Sequence, residues 1–164
     1  MSKTTTPKTM PSWTATSHGH PRQSLTLHPS HPIPSLPSYP TSTLLLIRIT
    51  HVSLNPADLV TLKLLPAWLP FRRAPVPGLD FAGEIVAMGD AVPAEMGLEV
   101  GTRVCGAVGL REVARGRGTL AGFVVLEAGL VARVPEVKGW GGREAVGVMG
   151  IAGQTAAVMV RGVR

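Results

Sequence analysis

Pro75-Val76-Pro77-Gly78-Leu79-Asp80-Phe81-Ala82-Gly83-Glu84-Ile85-Val86 is the stretch that decides the fold of this chain. Residues from Trp68 to Pro77 read as loop. Ala82 to Met88 then read as a strand entered through Gly83, and Gly89-Asp90 closes it with a turn signal. Upstream stands Leu54-Asn55-Pro56-Ala57-Asp58-Leu59, and downstream Val100-Gly101-Thr102-Arg103-Val104.

The neighbouring segments extend the same pattern. Thr43 to Val52 is β-branched and aliphatic without a breaker, which predicts a strand. Asn55-Pro56-Ala57-Asp58 predicts a helix start: Asn suits the N-cap, Pro the first helical position, and Asp three residues on suits the positive helix end. That helix is expected to run to about Leu65, before Pro66. Thr102 to Val108, Thr119 to Leu126 and Leu130 to Val134 predict three further short strands separated by glycines. Five short strands with Gly-rich turns predict a small β-barrel, with the Asn55 helix across an opening. Glu144 to Val160 reads as one helix of small residues.

Composition divides the 164 residues. Eight of 15 prolines fall within the first 40 residues, 18 of 19 glycines fall at or after Gly78, and all five histidines fall at or before His51. Residues 1–11 read as a disordered tail, 12–140 as the barrel domain with an extended, Pro-punctuated lead-in to residue 40, and 141–164 as a linking helix.

Charge and cysteine content exclude several classes. The net charge is +6 and the pI about 10.5, yet the arginines are scattered. The group from Arg111 to Arg117 reads as a solvated basic loop without interleaved aromatics, so no nucleic-acid partner is expected. A basic barrel that binds single strands is the weaker idea, because the strands lack stacking residues. Cys105 is the only cysteine; no internal disulfide is possible, and it reads as a small buried hydrophobe. His18, His20, His28 and His31 lie in Pro/Ser-rich chain without Cys or carboxylate partners, so no metal is expected there. No signal peptide and no apolar run long enough for a membrane span are visible. A cytoplasmic location is expected. An acid-free, Ser/Thr-rich start gives a mitochondrial alternative, weakened by its few arginines.

In order and spacing, these motifs resemble the catalytic domain of the medium-chain dehydrogenase/reductases, the superfamily of alcohol dehydrogenases and quinone reductases. The match continues through Gly118-Thr119-Leu120-Ala121-Gly122-Phe123-Val124-Val125 to Ala152-Gly153-Gln154-Thr155-Ala156. The resemblance implies a mainly β chain with short helices: a GroES-like, partly open β-barrel ending in the first helix toward a nucleotide-binding domain. Where zinc alcohol dehydrogenases hold a catalytic zinc with Cys and His, this chain has Asn55 and Leu79, so the resemblance is to the zinc-free quinone oxidoreductase branch. It implies reduction of quinones or enones by hydride transfer from NADPH. Asn55 and Asp58 take the catalytic positions, and Thr155 the one facing the nicotinamide.

Each of the three also has a plain structural explanation: capping for Asn55 and Asp58, a bond back to a helix carbonyl for Thr155. Relatives read Gly-Asp-Arg-Val where this chain reads Gly101-Thr102-Arg103-Val104; the lost Asp bears on the turn's stability. Neither Gly116-Arg117-Gly118 with Gly122 nor Gly147, Gly150 and Gly153 fits the G-x-G-x-x-G needed between a strand and a helix. The expectation is therefore an oxidoreductase by descent, truncated before its nucleotide-binding domain and inactive alone, prone to self-association through its C-terminal helix. The alternative is a non-catalytic interaction module on the same barrel.

Overall fold

The computed structural model describes residues 7–17, 19–64 and 75–161. Seven strands form two sheets. A hairpin pairs β1 (Thr9–Ala15) with β2 (Leu25–Pro32), joined by the short helix α1 (Pro21–Ser24). The other five are β3 (Leu44–Ser53), β4 (Asp80–Met88), β5 (Arg103–Ala107), β6 (Phe123–Glu127) and β7 (Val131–Arg133), in the order β6-β3-β4-β5-β7. Every pairing is antiparallel. All five expected strands thus join one sheet, in an order that does not close into a barrel.

The longest strand, β3, explains why its sequence lacks alternation. Leu45 and Ile47 are fully buried in the main core with Phe81, Ile85, Val104 and Leu126. Leu46, on the opposite face, packs with Met10 and Phe123. The second face is apolar because the β1–β2 hairpin covers it. Trp13 N–H donates to Leu120 O at 2.8 Å, Gly122 N–H to Pro11 O at 3.0 Å, and Phe123 N–H reaches Met10 Sδ at 3.1 Å. Each large aliphatic buried here stabilises by roughly 1.5–3 kcal/mol.

The hairpin corrects the reading of the N-terminal segment. Its first strand begins at Thr9, inside the expected tail, and the Pro-punctuated lead-in contains β2. Pro11 and Pro32 lie where a two-stranded ribbon leaves N–H positions unpaired, so proline does not forbid pairing there. His18 and residues 65–74 lie outside the described residues.

Two helices and a turn follow from local chemistry. Helix α2 (Pro56–Leu64) starts where expected. The basic segment expected as a loop contains α3 (Leu110–Ala114), in which Glu112 pairs with Arg115 at 2.7 Å and Arg117 at 3.5 Å. The turn before β5, where an Asp was expected, is held by Thr102, whose hydroxyl accepts from Glu99 N–H at 3.0 Å.

The expected single C-terminal helix is two: α4 (Gly142–Met149) and α5 (Ile151–Arg161). Gly150 between them is extended, at φ −73° and ψ −173°. Helix α4 belongs to the core rather than to a linker. Its Ala145 and Val146 are buried with Ala82, Cys105 and Val134, and Cys105 Sγ lies 3.5 Å from Met149 Sδ.

Gly83 is fixed by close approach: a Cβ there would overlap Arg48 O and Ile47 Cγ2 on the neighbouring strand. Gly83→Ala is expected to destabilise by about 1–3 kcal/mol, the range for overpacking. Gly129→Ala, where a Cβ meets nothing within 4 Å, is expected to stay within about 0.5 kcal/mol. Urea unfolding midpoints check both.

Candidate active site

The β3–β4 register builds the site. Ser53 pairs with Asp80, so the end of β3 and the beginning of β4 lie side by side. Asn55 follows two residues after Ser53, where α2 begins. Asn55, Asp58 and Asp80 are all buried, at 7%, 4% and 1% relative exposure.

Helix capping here differs from the expectation in one respect. Asp58 performs it: its Oδ2 accepts from the Asn55 backbone N–H at 2.6 Å, while Asp58 N–H returns a bond to Asn55 O at 2.9 Å. The Asn55 side chain reaches another element: its Nδ2 donates to Asp80 Oδ2 at 2.9 Å. The structure therefore brings Asn55 and Asp58 together and joins them to Asp80, which the sequence reading did not single out. The available signal was an acid at the start of a mostly apolar strand, since unpaired Asp is seldom fully buried.

Asp80 makes further contacts. Its Oδ2 also accepts from Ile151 N–H, the first amide of α5, at 2.9 Å. Its backbone carbonyl accepts from the buried Thr119 hydroxyl at 3.2 Å. Asp58 Oδ1 and Asp80 Oδ1 are buried without a hydrogen-bond partner.

Thr155 lies one turn beyond Ile151. Its exposed hydroxyl donates to Ile151 O at 2.7 Å, the back-bond to the preceding turn. It is linked to the Asn55 cluster through the start of α5, not by direct contact.

Electrostatics follow from burial. Desolvation raises the Asp58 carboxyl above its ordinary 3.8; the nearby Asp80 charge raises it further, and hydrogen bonds from Asn55 partly offset both. Desolvation likewise raises Asp80, offset by the Asn55 side chain and the Ile151 amide. Two close, buried carboxyls favour holding a proton over both being ionised.

The donor set is poor for a metal: an amide, two carboxylates and Leu79, with no three His, Cys, Asp or Glu side chains converging among the described residues. The three longer helices all begin against carboxylates: α2 against Asp58, α4 against Glu144, which takes Gly141 N–H at 2.8 Å, and α5 against Asp80. A helix start occupied by an acid does not welcome a phosphate. Thr119 borders an open groove of about 290 Å³ between the hairpin and β3, walled by Trp13, Leu27, Ile49, Val52 and Leu120. No helix among the described residues is long and apolar enough to cross a membrane.

Comparison with known proteins gives a consistent family. Residues 41–136 match the alcohol dehydrogenase GroES-like domain. Trans-enoyl reductase opdC of Penicillium oxalicum is 40% identical over 111 residues, covering 67% of this chain and 28% of that protein. The quinone oxidoreductase of Coxiella burnetii superposes with a TM-score of 0.73 at 23% identity, covering 94% of this chain and 45% of that one. A mycobacterial protein solved with NADPH superposes with a TM-score of 0.70 at 25% identity, covering 92% and 40%. The chain spans about a third of the length of the curated relatives it matches.

The raised carboxyls give a pH prediction. The folded chain binds more protons than the unfolded one just above pH 3.8, where unfolded Asp ionises. The stability from these groups is therefore complete below that pH and is lost as pH rises through their folded values. Exposed Glu144, whose carboxyl is lowered by the amides at the start of α4, acts in the opposite sense. Urea midpoints should fall from mildly acidic to neutral buffer, and Asp80→Asn should flatten that slope. An unchanged slope in Asp80→Asn would contradict the assignment.

Proposed function

Because this chain belongs to the alcohol dehydrogenase GroES-like domain family, in the zinc-free, quinone oxidoreductase-like branch of the medium-chain dehydrogenase/reductases, we propose that it is the substrate-facing domain of an NADPH-dependent reductase. Its substrates are compounds with a polarised double bond: enoyl thioesters, enones or quinones. The supporting observation is the Asn55–Asp58–Asp80 cluster, buried and polar at the junction of β3, β4 and α5.

In this reading Asn55 and Asp58 face the reacting end of the substrate, and Thr155 the nicotinamide side. NADPH, when bound, supplies the hydride. Asn55 and Asp80 orient polar groups, and burial raises the carboxyls of Asp58 and Asp80 beside them. The apolar groove beside Thr119 suits a hydrophobic substrate body. The starts of the three longer helices, each met by an acid, do not suit the pyrophosphate. A cytoplasmic location goes with this reading.

One observation favours the second reading, a non-catalytic interaction module. Val158, Met159 and Val160 on α5 are 70%, 68% and 71% exposed, an apolar patch suited to a protein partner or to self-association.

Two measurements on the 164-residue chain test the proposal. Calorimetric titration with NADPH is expected to show no tight binding; a dissociation constant in the low micromolar range, with turnover of a simple quinone, would reveal a cofactor site among these residues. NMR titration with crotonyl-N-acetylcysteamine and with menadione is expected to move the Asn55 side-chain amide signals, and Asn55→Ala to weaken that binding by about tenfold, as for loss of one buried hydrogen bond. Ligands that leave Asn55 unmoved favour the interaction module.

A further inference from the structure

We infer that Asp80 is a positioning residue for the proposed reduction, registering the Asn55 side chain against the start of helix α5 through a single carboxylate oxygen. The inference rests on the reading above for its functional meaning. Its physical content stands on the geometry alone.

Asp80 Oδ2 accepts two bonds of 2.9 Å, one from Asn55 Nδ2 and one from Ile151 N–H. The first fixes the amide proposed to face substrate. The second fixes the first residue of α5, and Thr155 is tied to that same residue through Ile151 O. Substrate-side and nicotinamide-side groups are thus held by one atom. Hydride transfer is steep in distance, so two walls set by one carboxylate keep a spacing that two independent anchors would let drift.

The surroundings hold Asp80 itself still. The residue is 1% exposed. Thr119 donates to its carbonyl at 3.2 Å, and its strand pairs with Ser53 on one side and Ala107 on the other. Gly150 lets the helix start come this close: a Cβ there would overlap Asp80 Oδ2. That contact also explains why the helix breaks at Gly150. A carboxylate inserted at the first amide of α5 takes the donor that a continuous helix would direct to its own preceding turn.

Residue-resolved hydrogen exchange and NMR on the 164-residue chain test the link. Gly150→Ala, which displaces the carboxylate without removing it, is expected to shift the Asn55 side-chain amide signals. It should also quicken exchange at Ile151 by about tenfold, as expected for loss of a charge-assisted hydrogen bond. Asn55→Ala frees one side of the carboxylate and is expected to quicken Ile151 exchange about threefold; in an Asp80→Asn background that effect should vanish, the signature of coupling through Asp80.

An Asn55 signal indifferent to Gly150→Ala would overturn the inference. So would an Asn55→Ala effect of equal size in both backgrounds. A uniform loss of protection that includes Ile85 and Val104 in the sheet marks a merely structural carboxylate and equally overturns it. If Asp80→Asn does not fold, Gly150→Ala carries the test, since it keeps all three groups. Enone and quinone binding enters none of these readouts, so this link fails or stands separately from the substrate reading.

Discussion

One carboxylate oxygen, Asp80 Oδ2, organises the site end of this molecule. A charge at 1% exposure is tolerated only with donors directed at it, and the chain brings two from remote positions: Asn55, 25 residues earlier, and Ile151, 71 residues later. The β3–β4 pairing places Asp80 beside the start of α2. The break at Gly150 turns the first amide of α5 toward it. The sheet register, the helix junction and the C-terminal break therefore meet at one requirement.

That requirement bears on function through charge. The longer helices each begin against an acid, so their positive ends are already compensated within the chain. What these residues offer is a buried, polar corner, with Thr119 standing between Asp80 and an open groove. Such a corner suits recognition of a polarised group on an otherwise hydrophobic molecule far better than recognition of a phosphate.

Much of the architecture was legible in the residues. Thr43 to Val52 and Ala82 to Met88 carry strong strand composition, and Asn55-Pro56-Ala57-Asp58 is a helix start on any reading. The hairpin at Thr9–Ala15 and Leu25–Pro32 was not legible, because prolines and exposed threonines mask a ribbon whose stability comes from docking on Leu46 and Phe123. The division of the last helix was hidden for a related reason: its cause, Asp80, lies 70 residues away from Gly150. Asn55 and Asp58 were found as candidates from their motif, but local capping rules assigned the Asn55 side chain to the helix. Only the tertiary pairing of Ser53 with Asp80 shows that it has another partner.

The two aspartates are hard to explain by stability alone. Each keeps one buried oxygen without a partner, and each such atom costs about 1–3 kcal/mol. Burial raises both carboxyls, and the Asp80 charge raises Asp58 further. Capping of α2 by Asp58 and of the α5 start by Asp80 gives each acid a structural use, but neither bond needs the second, unpartnered oxygen. Under the function proposed above, a site that orients a polar group has a use for both, and titratable groups displaced in this way are candidates for such a site.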